Sequence, residues 1–236
     1  MAHFGTVPSS ENGSPPAGYP RSDAVCASEV RPAAENRPGN ATANHTVPSN
    51  PKAISWDPST DSYWSKWQSD LNHVTGDYTG TTDEILQWGA CKWGIDEDLL
   101  RAVAVVESDW RISTVGNNCG VAGEASYGLL QIMNENCSGQ TVHGGWPDTQ
   151  NDTAVGVDFF GAWVRACFDG AFYDGGQWLY NGQTIAQVIA AHGMDYALWG
   201  CIGAWNSGAW YDAQAQSYIS AVQSDYSSKP WLKPGF

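Results

Sequence analysis

Positive charge is scarce in this chain. Of 236 residues only 11 are Lys or Arg, against 25 Asp or Glu, for a net charge of −14. A surface of that sign repels phosphate backbones and anionic lipid heads, so nucleic acid and membrane are excluded as partners. Long apolar runs are missing as well, and a transmembrane helix needs roughly eighteen such residues or more. The six cysteines (Cys26, Cys91, Cys119, Cys137, Cys167, Cys201) show no CxxC spacing, which argues against zinc. The histidines His3, His45, His73, His143 and His192 are scattered without ligand spacing, so no metal is expected. No glycine-rich segment has the phosphate-loop pattern, and no cofactor is expected. Internal repeats are absent. The start, Met1-Ala2-His3-Phe4, lacks a basic region and an apolar core of a secretory leader. The expectation is a mature, secreted form whose leader has been removed.

What is present is aromatic and acidic. Aromatics make up 12% of the chain, and its 13 tryptophans outnumber its Lys and Arg together. Exposed tryptophan is a stacking surface, and carbohydrate is its usual ligand; the plainer alternative is that most of these indoles are core. An even cysteine count without metal spacing points to disulfides and an oxidising compartment, with the pairing left open.

The chain divides by composition. Residues 1–52 hold eight of the 12 prolines and no tryptophan, and their four acids balance their four bases. We expect residues 1–55 to be a Pro-rich, irregular arm tethered by Cys26, and residues 56–236 to be the globular domain, reading as a monomer. The whole net charge then lies in the body. There, Thr81-x-x-Glu84 is a capping box. Asp96 can cap a helix with Leu99, Leu100, Val103, Ala104 and Val106 on its apolar face, Arg101 off that face, and an end near Glu107-Ser108. Helices are expected over 153–168, 183–192, 196–205 and 212–226, with loops over 111–126 and 140–151.

An apolar helix that delivers one glutamate at its end is chemically suggestive. Apolar neighbours disfavour the carboxylate and raise its pKa, and a carboxyl that keeps its proton near neutrality can act as a general acid. Glycoside cleavage needs such an acid. The plainer reading is a solvated acid at a helix C-terminus, where the helix dipole opposes it.

Ile95 to Ser108, ending Ala104-Val105-Val106-Glu107-Ser108, resembles the first motif of soluble lytic transglycosylases and goose-type lysozymes. Gly128-Leu129-Leu130-Gln131-Ile132-Met133 resembles their glycine-leucine motif, and Ala204-Trp205-Asn206-Ser207-Gly208 their third motif. The ordered set spans roughly residues 83–226. The resemblance implies a lysozyme-like α+β fold, mainly helical, with a small β element beside a cleft. It implies Glu107 as the catalytic acid, Ser108 beside it against substrate or cleft wall, and Gln131 and Asn206 lining the cleft. The third motif carries Trp205 where the family has tyrosine. An indole can only donate a hydrogen bond, so Tyr127 or Tyr211 is expected to supply the missing phenol. A Cys119–Cys137 disulfide would brace the Gly128 segment.

Lytic transglycosylases work with one acid, whereas inverting hydrolases add a second carboxylate about 6.5–9.5 Å away. Glu124 is the candidate for that second role, with Asp109 a poorer one. Peptidoglycan is the implied substrate, and cleavage of a β-1,4-linked glycan the implied activity. The net charge speaks for a neutral polymer such as chitin instead. Trp110, Trp146, Trp199, Trp205 and Trp210 are candidate stacking residues; Trp88 and Trp163 are expected in the core. A catalytically silent carbohydrate-binding protein on the same scaffold is the alternative from another class.

Overall fold

The structure is a computed structural model; it describes residues 19–48, 68–117, 125–133, 148–170 and 182–236. The chain order begins with α1 (Asp23–Glu29), a short 3-10 turn and α2 (Ala41–Asn44), then α3 (Gln68–Leu71), α4 (Thr82–Trp93) and α5 (Glu97–Ser108). Three short strands follow: β1 (Val115–Asn117), β2 (Ala125–Tyr127) and β3 (Ile132–Met133). The elements described after them are helices: α6 (Asp148–Asn151), α7 (Thr153–Phe168), α8 (Ile185–His192), α9 (Met194–Ser207) and α10 (Ala213–Ser228). The class is α+β, dominated by helices around one small antiparallel sheet of order β1-β2-β3.

Local chemistry sets the boundaries. The capping box forms as expected: Thr81 accepts from the Glu84 amide, and Glu84 accepts from the Thr81 amide at 2.8 Å. Asp96 caps α5 through the Leu99 amide at 3.0 Å. Asp152, Thr184 and Asp212 cap α7, α8 and α10 in the same way. Every residue of α7 is buried. It is the central post, packed against α3, α4, α6 and α9. A disulfide between Cys167 and Cys201 ties α7 to α9.

The fully buried post carries Asp158, and its charge is met from α4. Lys92 Nζ lies 2.7 Å from Asp158 Oδ2, and Trp93 Nε1 donates to Oδ1 at 2.6 Å. Lys92 also reaches Asp23 of α1 at 2.7 Å. An unpaired charge here would cost several kcal/mol, so these groups must fold together. Arg101, expected off the apolar face, is buried at 8% exposure. Asp83, Glu97 and Asp98 surround its guanidinium.

Residues 19–48 are less irregular than their composition predicts. Ser22 caps α1, whose Cys26 pairs with Cys91 of α4. Arg31 and Arg37 form ion pairs with Glu97 and Asp109. The other expected disulfide, Cys119–Cys137, and Trp146 lie outside the described residues.

Candidate active site

Glu107 stands on the last turn of α5, half-buried beside Val105 and Val106. Two side chains from other helices meet its carboxyl. The Tyr218 hydroxyl, from the buried face of α10, donates to Oε1. Trp205, from α9, donates a second hydrogen bond. Burial lifts the Glu107 pKa to about 7, and the Tyr218 and Trp205 donors hold it from rising further. Burial, the Glu107 charge and the hydrogen bond to it raise the Tyr218 phenol well above its ordinary value, so it stays protonated and remains a donor.

Three elements converge on this carboxyl because their apolar faces force them to. Trp205 is wedged edge-on against Phe160 and Trp163 of α7, with centroids 4.9 and 5.3 Å away. Tyr218, Ile219 and Val222 form the buried stripe of α10 against α5 and α9.

The glycine-leucine segment is a turn and a two-residue strand. Gly128 has φ +78°, and a Cβ there would fall 2.9 Å from the Thr149 carbonyl oxygen. Its bare face therefore meets α6 rather than a ligand. Ser108 is buried, and its hydroxyl donates to the Leu129 carbonyl at 2.7 Å. It joins α5 to the turn, in keeping with the cleft-wall role expected for it rather than a substrate contact. Gln131 has φ +52° and its Nε2 donates to the carbonyls of Thr114 and Gly128 at 3.0 and 2.9 Å. Its amide donors are thus committed to bracing the turn, and its Oε1 lies over Gly116, where a Cβ would come within 2.6 Å.

The remaining expected residues are dispersed. Asn206 is exposed, and its Oδ1 accepts from Gln214 at 3.1 Å. Tyr211 stacks on Tyr196 with centroids 4.2 Å apart and donates to the Tyr196 carbonyl at 2.7 Å. Its phenol is therefore spent there, and the expectation that it replaces the family's tyrosine is corrected. Tyr127 sits in β2 opposite Val115 and Ile132. The residue that supplies the phenol is Tyr218. Sequence reasoning placed it in the apolar stripe of α10 and missed its role; a hydroxyl on an otherwise apolar face was the available signal. Trp110 and Trp210 are buried at 1% and 5% exposure and are core, not stacking surface. Trp88 and Trp163 are core as expected. Glu124 lies outside the described residues. Asp109 is paired with Arg37 at 3.0 Å and Arg111 at 2.6 Å.

A helical body, a small antiparallel sheet and a clasped glutamate at a helix end are consistent with an α+β, lysozyme-like fold. Residues 84–154 match the family model of the transglycosylase SLT domain. The match takes in Glu107 and the glycine-leucine turn and stops before Trp205, Asn206 and Tyr218. No curated protein and no solved structure matches the chain.

Proposed function

We propose that this protein is a secreted lytic transglycosylase that cleaves the β-1,4-linked glycan of peptidoglycan, with Glu107 as its one acid and base. The observation that carries the reading is the Glu107 carboxyl, half-buried, poised near neutrality and held by two donors from separate helices. The disulfides Cys26–Cys91 and Cys167–Cys201 fit an oxidising compartment.

The chemistry follows from that carboxyl. Protonated Glu107 gives its proton to the glycosidic oxygen as the bond to the anomeric carbon breaks. The Tyr218 and Trp205 donors then stabilise the carboxylate that is left. That carboxylate takes the proton of a hydroxyl on the same sugar, whose oxygen bonds to the anomeric carbon. The ring closes, the acid is restored and no water is consumed. A hydrolase would instead need a carboxylate to hold water. A second reading, cleavage of a neutral polymer, is favoured by the net charge of −14, which opposes attraction to an anionic wall.

Mass spectrometry of the products tests both. Peptidoglycan fragments lighter by one water than hydrolytic ones are expected. Fragments that incorporate labelled water would overturn the one-acid mechanism. Glu107→Gln is expected to lose at least about 10²-fold in rate, and near-normal turnover would remove Glu107 from the chemistry.

A further inference from the structure

Tyr127 and Val115 are directly opposite in the β1–β2 register, so they share one face of the sheet. Ile132, opposite Tyr127 on the same face, is buried in the core, whereas the Val115 end of the face is open. With the N-terminal segment that end forms a cleft of about 400 Å³, within the roughly 300–1,000 Å³ range of ligand sites. Thr42 and Thr46 line one wall, Val115 and Tyr127 the other, with Gln150 and Asn151 of α6 completing it. No lining side chain carries a charge, in a protein of net charge −14.

The chemistry of this lining is specific in kind. Hydroxyls and carboxamides both donate and accept, which matches sugar hydroxyl and acetamido groups. Tyr127 is half-buried and Val115 is 59% exposed. Together they offer an aromatic and an aliphatic surface of the type that covers the apolar face of a pyranose. An ionic ligand would find no counter-charge in the lining. The cleft is also mechanically joined to α5. Thr114, another lining residue, donates from Oγ1 to the Ser108 carbonyl at 3.3 Å, and its own carbonyl accepts from Gln131. One wall comes from residues 39–46, outside the segment that matches the SLT domain.

We propose that this cleft, built by the N-terminal segment against the Val115–Tyr127 face, binds a neutral N-acetylhexosamine oligosaccharide as a second glycan site beside the Glu107 centre. The proposal rests on the glycan-cleaving reading above.

The test uses the full chain carrying Glu107→Gln, which holds glycan without turning it over, and an N-acetylglucosamine hexamer as the probe. Amide chemical shifts are followed on titration. Shifts are expected at Thr42, Thr46, Val115 and Tyr127 as well as around Glu107 and Trp205. Thr42→Trp fills the cleft from an exposed position on α2, and Val115→Arg obstructs it from the sheet. Each is expected to erase the shifts in the cleft and to weaken binding there at least tenfold, while shifts around Glu107 persist. Shifts confined to the Glu107 region overturn this inference and leave the proposed function standing. Binding in the cleft that survives both substitutions also overturns it. If the hexamer moves no amide anywhere, the second glycan site falls, and the peptidoglycan reading is left to the product analysis above.

Discussion

The Glu107 carboxyl is a balance of opposed effects. Burial favours its protonated form and lifts its pKa to about 7, while Tyr218 and Trp205 favour the anion. Removing one donor therefore moves the balance in a known direction. A hydrogen bond to a charged group contributes about 1.5–3 kcal/mol, and one pKa unit is about 1.4 kcal/mol. Tyr218→Phe keeps the ring in its buried stripe and deletes the hydroxyl. The Glu107 pKa is expected to rise by about one unit. The general acid must carry its proton, so the rate falls as pH rises through that pKa. The descending alkaline limb of kcat/KM is expected to shift upward by the same amount in the variant. A pH–rate profile reads it, and an unmoved limb would show that Tyr218 does not govern the acid. Trp205→Phe removes the other donor with its packing on Phe160 and Trp163 largely retained, and is expected to shift the limb in the same sense. The position of Glu107 at the end of an apolar helix was legible in the sequence, because that helix is capped by Asp96 and keeps its apolar spacing. Its partners were not. Periodicity says that Tyr218 is buried, but not that α10 crosses α5 at the turn bearing Glu107.

At the scale of elements, α5, which bears Glu107, ends in strained backbone. Asp109 and Trp110 follow Glu107-Ser108 with φ of 53° and 59°, a left-handed pair that costs each non-glycine residue about 1–2 kcal/mol. The N-terminal segment holds that pair in place. Asn40 Nδ2 donates to the Trp110 carbonyl at 2.7 Å, and Asn40 Oδ1 accepts from the Ile112 amide at 3.0 Å. Arg37 Nε donates to the Asp109 carbonyl at 2.7 Å, while its guanidinium lies 4.0 Å from the centre of the Phe236 ring. Asn40→Ala leaves two backbone groups without their side-chain partner, at about 1–3 kcal/mol each. A loss of about 3 kcal/mol in chemical denaturation is expected, whereas a change under about 0.5 kcal/mol, usual for surface substitutions, would mean the segment is a passive cover. The caps made the helices of the body readable: Thr81, Asp96 and Asp212 each stand at the start found in the structure. Proline content hid α1 and α2, since their stability comes from Cys26, Asn40 and Asn44 meeting α4, not from local propensity.

Across the whole molecule, several buried acids keep their protons to a higher pH than free carboxyls do. Burial raises Asp70, Glu107 and Asp152 to about 7 and Asp169 to about 6. In the unfolded chain such carboxyls titrate near about 4. Between about pH 4 and 7 the folded state thus binds more protons than the unfolded one, and stability must fall as pH rises through that window. The accumulating negative charge, −14 at pH 7, acts in the same direction. Below about pH 4 the slope reverses. There Glu29, held low by its hydrogen bond from Arg21, takes up its proton and loses that contact. Asp98 does so too: burial pushes its carboxyl up, but hydrogen bonds from Lys229 and Arg101 hold it below its ordinary value. Thermal unfolding at about pH 5 and pH 7.5 is expected to show a Tm several degrees lower at the higher pH, since about 1 kcal/mol moves Tm by roughly 2–4 °C in a chain of this size. Asp70→Asn isolates one contributor. Asp70 is 5% exposed, and its Oδ1 has no hydrogen-bond partner among the described residues. The amide copies the neutral acid in shape and cannot ionise, so the variant is expected to flatten the decline with little cost near pH 5. A Tm that stays level or rises toward neutral pH in the parent would mean that these carboxyls ionise inside the fold, and with them the proton that Glu107 needs.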